Sequence, residues 1–513
     1  MRIGIYNRWL ATLGGGEKYS LTIAEYLSQR HHVEVLSHRT VSKEQAAERL
    51  NLNLSRVKFL TLSDRPALEM TPITTEYDFF VNASYMDFFP SYAPFSANVV
   101  YFPAKLGPET FRRRQGKTRL REWLRLPQVM ISTQAFDLER GSLDWVSDTD
   151  LKLRLPSRAA AYSVQFDLRA CAPTVTQATV MLNGLTVKQV KFSGVDQPQT
   201  CRIQVPAIVG KKFHELLVIP EDQENQFDGQ PRLAISHLSL GTPTYWLYQH
   251  LLARNLMRLN VRLEFSPPGA AVLDYLDTYN AIWSISEYSR SWIERYWNRP
   301  SEILYPPVDV ESFNVGEKCP QILSVGRFFA GQHNKKHKFM IAAFKHMVDR
   351  GLTGWKLHLA GGTTPGEEHQ AYLADLFKQA HRYPIEIHPD IHFPELLDLY
   401  AATSIYWHAC GYGENYQREP EKFEHFGITT VEAMAAGCVP VVIAKGGQPE
   451  IVQHGKNGFL WNNAKELEES TQRLMRDIDL RQALSQQAVK DSRNYSKEAF
   501  FNRLDELLKQ IGA

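Results

Sequence analysis

Cysteines are few and unpatterned. Cys171, Cys201, Cys319, Cys410 and Cys438 are five in 513 residues, form no CxxC pair and are odd in number. That excludes a disulfide framework or a cysteine zinc site as the organising element. Neither sign of charge is in excess, since 58 Lys and Arg stand against 56 Asp and Glu. Nothing global draws the chain to nucleic acid, and no recognition fold accompanies its basic residues. No apolar run approaches a membrane span in length, and MRIGIYNRWL enters a strand pattern without the apolar core of a signal peptide. Internal repeats and low-complexity tracts are also missing. The expectation is a cytoplasmic protein of two or three domains, peripheral on the inner face of the membrane if it meets lipid.

What is present is a change of period along the chain. RIGIY, a glycine-rich loop, the helix pattern EKYSLTIAEYLSQR and HVEVLS form a β-α-β unit, continued by YDFFVNAS and ANVVYFP. From about Pro127 the period becomes two, through LKLRLPS, YSVQFDLRA, ATVMLNGLTVKQVKF with its Asn183-Gly184 turn, CRIQVPA, HELLVIP and RLAISHLSL. Helix and strand alternate again from Pro243 to the Pro306-Pro307 break, and a second series of alternating elements follows. The predicted fold is α/β: an N-terminal Rossmann-like domain (1–127 and 243–310), an inserted β-sandwich (128–242), a C-terminal Rossmann-like domain (311–490) and a terminal helix (491–513). The sandwich reads as a spacer or stabilising module.

Candidate chemistry gathers in KFEHFGITTVEAMAAGCVP, where Glu424 and Glu432 lie eight positions apart. Gly427, Ile428 and Thr429 lead into a helix expected over 430–436, with Thr429 as its N-cap. Free N–H groups there can hold a phosphate. Glu432 could accept from sugar hydroxyls, or could be a solvated helix residue. Glu424 could stabilise a developing sugar cation, or be a surface loop charge. Arg327 follows an apolar strand and a glycine, and Lys335, Lys336 and Lys338 open the next helix. That edge of an open α/β sheet is where ligands bind, although Lys336 and Lys338 fit a solvated helix face better. GGGEKYS adds a flexible turn at Gly14 to Gly16 on the other domain.

Together these residues resemble retaining glycosyltransferase family 4, the group 1 glycosyl transferases of the GT-B fold, in which two Rossmann-like domains face each other. Glu424 and Glu432 match its E-x7-E motif, Arg327 and Lys335 its strand-end Arg and following Lys. Gly15, Gly16 and Glu17 match its N-terminal glycine turn, and Gly446 and Gly447 its C-terminal one. The resemblance implies a nucleoside-diphosphate sugar as co-substrate, with no cofactor. Donor contacts would come from Gly15, Gly16, Arg327, Lys335, Glu424, Gly427, Ile428, Thr429 and Glu432. Catalysis would involve Glu424, Arg327, Lys335 and His408, the last matching a histidine of the dolichol-linked mannosyltransferases. The twelve residues Tyr412 to Phe423 are then extra, a cleft rim by their charge or else a simple surface loop. Tyr101, on the acceptor side, stands where many relatives carry His, and a phenol stays protonated near neutral pH.

No metal is expected. Asp148 to Asp150 reads as a solvated turn within the insertion, and the scattered histidines lack ligand spacing. One local run is strongly basic: Arg112, Arg113, Arg114, Lys117, Arg119, Arg121 and Arg125 lie beside Phe111, Trp123, Leu124 and Leu126. It resembles an interfacial anchor over 111–126 for an anionic membrane surface or lipid-linked acceptor, with a solvated linker as the alternative. The sequence therefore reads as a metal-independent hexosyltransferase, with mannose favoured, acting on a glycan or lipid-linked acceptor in envelope or exopolysaccharide synthesis. A sucrose- or trehalose-type synthase and an inactive carbohydrate-binding scaffold are the alternatives.

Overall fold

Short β-branched runs buried on both faces become parallel strands, because βαβ crossovers cover each side of the sheet. The computed structural model describes residues 1–64, 70–105, 124–130, 145–147, 150–207, 213–222, 232–252, 265–266, 271–331 and 334–512. Its N-terminal sheet is parallel and seven-stranded. From edge to edge it runs Glu302–Ile303, Ala281–Ser284, Phe95–Val100, Phe79–Asn82, Arg2–Tyr6, His32–Ser37 and Val57–Thr61. The C-terminal sheet is parallel and six-stranded: Ile385–Pro389, Lys356–Gly361, Cys319–Val325, Thr403–His408, Val439–Ile443 and Phe459–Trp461. In each, strand order reverses beside the first strand, which leaves a crevice at the carboxyl ends.

Inserted in the N-terminal domain, between its strands Phe95–Val100 and Ala281–Ser284, are two largely antiparallel sheets of six and four strands. Leu153, Phe166, Val180, Val218 and Ile235, drawn from both sheets, are fully buried in one apolar cluster. Asn183 and Gly184 turn the hairpin with φ of 52° and 80°, the positive pair that a two-residue turn requires. This core reaches past 128–242 on both sides: Leu126, Tyr245 and Tyr248 belong to it, and Phe265–Ser266 pairs with Gln128–Met130. Pro243–Leu247, expected to resume the α/β alternation, instead roofs the sandwich, because Tyr245 is buried there.

Leu124 and Leu126, expected to face lipid, pack on the sandwich core. The basic residues 112–121, with Phe111 and Trp123, lie outside the described residues, as does Asp148. Asp150 is half-buried rather than solvated. Among the described residues no helix is long and apolar enough to cross a membrane.

Two helices that the sequence reading passed over, Ala464–Arg476 and Ile478–Ser492, are capped by Asn463 and Asp477. The final helix, Lys497–Ile511, starts at the Ser496 cap and crosses to the N-terminal domain. There Tyr26 stacks on Phe501 at 4.4 Å and donates to Asp505 at 2.6 Å, Lys497 pairs with Glu25 at 2.8 Å and Arg503 with Glu302 at 2.9 Å.

Candidate active site

At the reversal point of the C-terminal sheet two neighbouring strands end side by side. One continues into Gly326 and Arg327, and the other ends on His408. Glu424 reaches this junction from a loop whose backbone is gripped by glycines. The Gly447 N–H donates to the Glu424 carbonyl at 2.8 Å, and a Cβ on Gly446 (φ +69°) would lie 2.4 Å from that same oxygen. Any larger residue there would push the carboxylate out of place.

The Glu424 carboxylate accepts from the Lys335 ammonium and, at 2.9 Å, from His408 Nε2. Lys335 gets there by lying across Gly326, where a Cβ would sit 2.6 Å from its Cγ. Burial would raise the Glu424 carboxyl, but Lys335 and His408 overcome it and hold the group well below the usual carboxylate range. Lys335, also opposed by burial, is kept above the ordinary lysine value by Glu424. His408 is pushed down by burial more than Glu424 pulls it up. It is therefore a neutral ring at pH 7, and facing an ionised carboxylate its Nε2 carries the proton. Arg327 is exposed and lies close enough to Lys335 for the two cations to repel. Lys335, expected to face only a diphosphate, is thus shared with Glu424.

The following helix is Ile428–Ala435, and its N-cap is Gly427 rather than Thr429. The reason is conformational: Gly427 has φ +122°, and a Cβ there would meet Gln448 Nε2 at 2.3 Å. Thr429 lies in the first turn, where its Oγ1 accepts from the Tyr406 hydroxyl at 2.7 Å. The first N–H groups of this helix have no intrahelical acceptor. One turn in, Glu432 is half-buried and accepts from the Tyr400 hydroxyl at 3.0 Å, so it is not a solvated helix residue. Burial raises its carboxyl, while Lys18 of the opposite domain works against that rise.

The N-terminal wall is backbone. Helix Gly15–Leu27 begins inside the stretch read as a loop, with Gly14 as N-cap. Glu17 accepts from the Gly14 N–H at 2.9 Å and Thr12 Oγ1 at 2.7 Å, the half of a capping box that a glycine N-cap allows, and this fixes the turn. A Cβ on Gly15 would lie 3.2 Å from Ile428 Cδ1, so the two helix N-termini meet across the cleft. Gly16 abuts the Tyr101 ring, whose hydroxyl proton is shared by the carbonyls of Gly16 at 3.0 Å and Ala83 at 3.1 Å. Burial raises Tyr101 further above the ordinary phenol value. It braces the first turn of helix Gly15–Leu27 against the residue that follows strand Phe79–Asn82.

Lys336 and Lys338 point away from this junction, to Glu414 at 2.6 Å and Asp375 at 2.5 Å. Glu414 also pairs with Lys422 at 3.1 Å. The extra segment, expected as a cleft rim, is a clasp between domains. Tyr412 packs on Phe339 at 4.0 Å, while Arg295 and Tyr288 of helix Glu287–Trp297 donate to Gln417 at 2.6 Å and the Pro420 carbonyl at 2.8 Å. Beside it Glu450 accepts from the N–H groups of Glu287 and Tyr288, both at 2.6 Å. Burial pushes Glu450 up to about 7. Nothing in the spacing of GGQPE marks this role.

Two parallel-sheet domains facing each other across a cleft are the arrangement of the GT-B fold. Residues 308–491 match the family described as glycosyl transferases group 1. The chain is 24% identical over 249 residues to the Dictyostelium discoideum GDP-Man:Man(3)GlcNAc(2)-PP-Dol alpha-1,2-mannosyltransferase, covering 45% of this chain and 46% of that one. The Xenopus tropicalis protein of the same description is 28% identical over 180 residues, 33% of each chain. The chain thus spans a third to a half of the length of these curated relatives. Among solved structures, Anabaena HepE in complex with UDP superposes with a TM-score of 0.54 at 12% identity, over 99% of this chain and 100% of that one. Sucrose-phosphate synthase from Thermosynechococcus elongatus does so at 0.51 and 12%, over 100% and 99%.

Proposed function

We propose that the protein is a retaining glycosyltransferase of family 4. It moves a hexose, with mannose favoured, from a nucleoside-diphosphate sugar to a glycan or lipid-linked acceptor in envelope or exopolysaccharide synthesis. The observation that carries this reading is the Glu424 carboxylate, kept ionised by Lys335 and His408 eight residues before Glu432 on a helix N-terminus. Breaking a sugar–phosphate bond leaves positive charge on the anomeric carbon and negative charge on the diphosphate. Glu424 faces the first. Arg327, Lys335 and the opening N–H groups at Ile428 and Thr429 face the second, so side chains and backbone supply the compensation without a metal. These contacts strengthen as charge develops, which is what accelerates the step. Glu432 accepts from a ribose diol, Gly15 and Gly16 admit the donor closely, and His408 positions Glu424.

The preference for mannose rests on relatives described as GDP-mannose transferases acting on dolichol-linked oligosaccharide. The basic run at 111–126 supports an acceptor held at an anionic membrane surface on the cytoplasmic side. The test is a thermal-shift panel of GDP, UDP and ADP followed by turnover of the matching mannose or glucose donor. A ligand at about 100 times its Kd stabilises the native state by about 2.7 kcal/mol. One nucleoside diphosphate should raise the melting temperature and its sugar ester should be turned over. No shift with any of the three would sink the reading.

A further inference from the structure

The outer edge of the C-terminal sheet brings His358 together with Glu386 and His388 of the neighbouring strand. Lys356–Gly361 pairs in parallel with the edge strand Ile385–Pro389, placing His358 opposite Glu386. Strand alternation puts His388 on the same face as Glu386. Three atoms converge there. His358 Nδ1 and His388 Nε2 are 3.1 Å apart, His358 Nδ1 and Glu386 Oε2 3.6 Å, and His388 Nε2 and Glu386 Oε2 3.9 Å. Donors about 2.1 Å from one tetrahedral ion stand about 3.4 Å from each other, a value these three separations bracket.

We propose that His358, Glu386 and His388 form a site for one divalent transition-metal ion of the zinc class, with its remaining position open to solvent. Two imidazoles and a carboxylate suit zinc, cobalt, nickel or copper in preference to magnesium or calcium. The surroundings favour the arrangement. His358 is 4% exposed and its Nε2 is buried without a partner, so the polar contacts of this ring are made through Nδ1, toward the cluster. Lys356 holds the other oxygen of Glu386 at 2.8 Å and so fixes Oε2 inward. His388 and Glu386 remain partly exposed, which leaves a path of entry. The edge strand stands two places out from the strand that leads to Arg327. Held between these two strands, the ion ties an edge strand to its neighbour, where unpaired backbone would otherwise fray or recruit another chain.

The experiment uses the untagged full chain, stripped with a chelator and titrated with Co²⁺ alone. One ion per chain should bind, with the visible absorption of four-coordinate cobalt, be displaced by Zn²⁺ and raise the melting temperature. Affinity should fall at least about tenfold in His388→Ala and in Glu386→Gln, while the metal-free melting temperatures stay near that of the parent. Should His388→Ala fail to fold, Glu386→Gln still decides. Failure to bind cobalt at micromolar concentration, or equal affinity in the parent and a folded variant, overturns the proposal.

Discussion

On the N-terminal wall of the cleft the protein consumes its own polar groups. The Tyr101 hydroxyl goes to the Gly16 and Ala83 carbonyls, and Glu17 to the Gly14 N–H and Thr12. What this wall presents is glycine backbone at close range, with Gly15 against Ile428. On the C-terminal wall the reverse holds: the ion pair of Glu424 and Lys335, joined by a neutral His408, stands at a strand junction with Arg327 exposed nearby. One wall offers shape and the other offers charge. Substitutions on the two should fail in different ways.

The largest effect is expected from Glu424→Gln. It removes the negative charge and leaves Lys335 without its partner, so release of nucleoside diphosphate should drop by about 100-fold or more with nucleotide affinity nearly unchanged. Steady-state kinetics alongside calorimetry checks this, and a variant with parental turnover would break the comparison. Glu432→Gln comes next: loss of a charged acceptor for the ribose should weaken nucleoside-diphosphate binding by about 1 to 3 kcal/mol. If calorimetry shows full affinity, Glu432 serves only the Tyr400 contact. On the opposite wall, Tyr101→Phe should cost about 1 to 2 kcal/mol in denaturant unfolding and leave kcat alone. A fall in kcat with unchanged stability would move Tyr101 into the chemistry.

The smallest effect concerns the clasp behind both walls. Burial lifts Glu450 to about 7, above the value of about 4.3 that a free glutamate has. The folded chain then binds more protons than the unfolded one. The stability from this group is complete below the unfolded value and is lost as pH rises through about 7. Melting temperatures of Glu450→Gln should therefore fall less than those of the parent between about pH 5 and 7. Parallel curves would place the titration elsewhere.

Much of the fold was legible because its signals are local. Period-two runs gave the sandwich strands and Asn183-Gly184 the hairpin, while the last helix, expected over 491–513, starts only after the Ser496 cap. The misses have local causes too. Thr429 resembled a cap, yet only Gly427 can hold φ +122°. Pro243 resembled a fresh start, yet Tyr245 and Tyr248 follow the sandwich core. Lys336, read as able to lie on a solvated face, found Glu414 because Tyr412–Phe423 folds back over it.

By itself the sequence determined which residue types were available and how they were spaced within each element: an acid eight positions from another, glycines at the turns, a basic residue at a strand's end. Those spacings set geometry only over a few residues, where the backbone period alone places side chains. The tertiary structure decided the partners. Lys335 and Glu424 are 89 positions apart and meet only because two strands of one sheet end together. His358 faces Glu386 and His388 only through strand register. Whether a carboxylate is a surface charge, a cap or a reactive group depends on burial and on the charges beside it, and these come from distant parts of the chain.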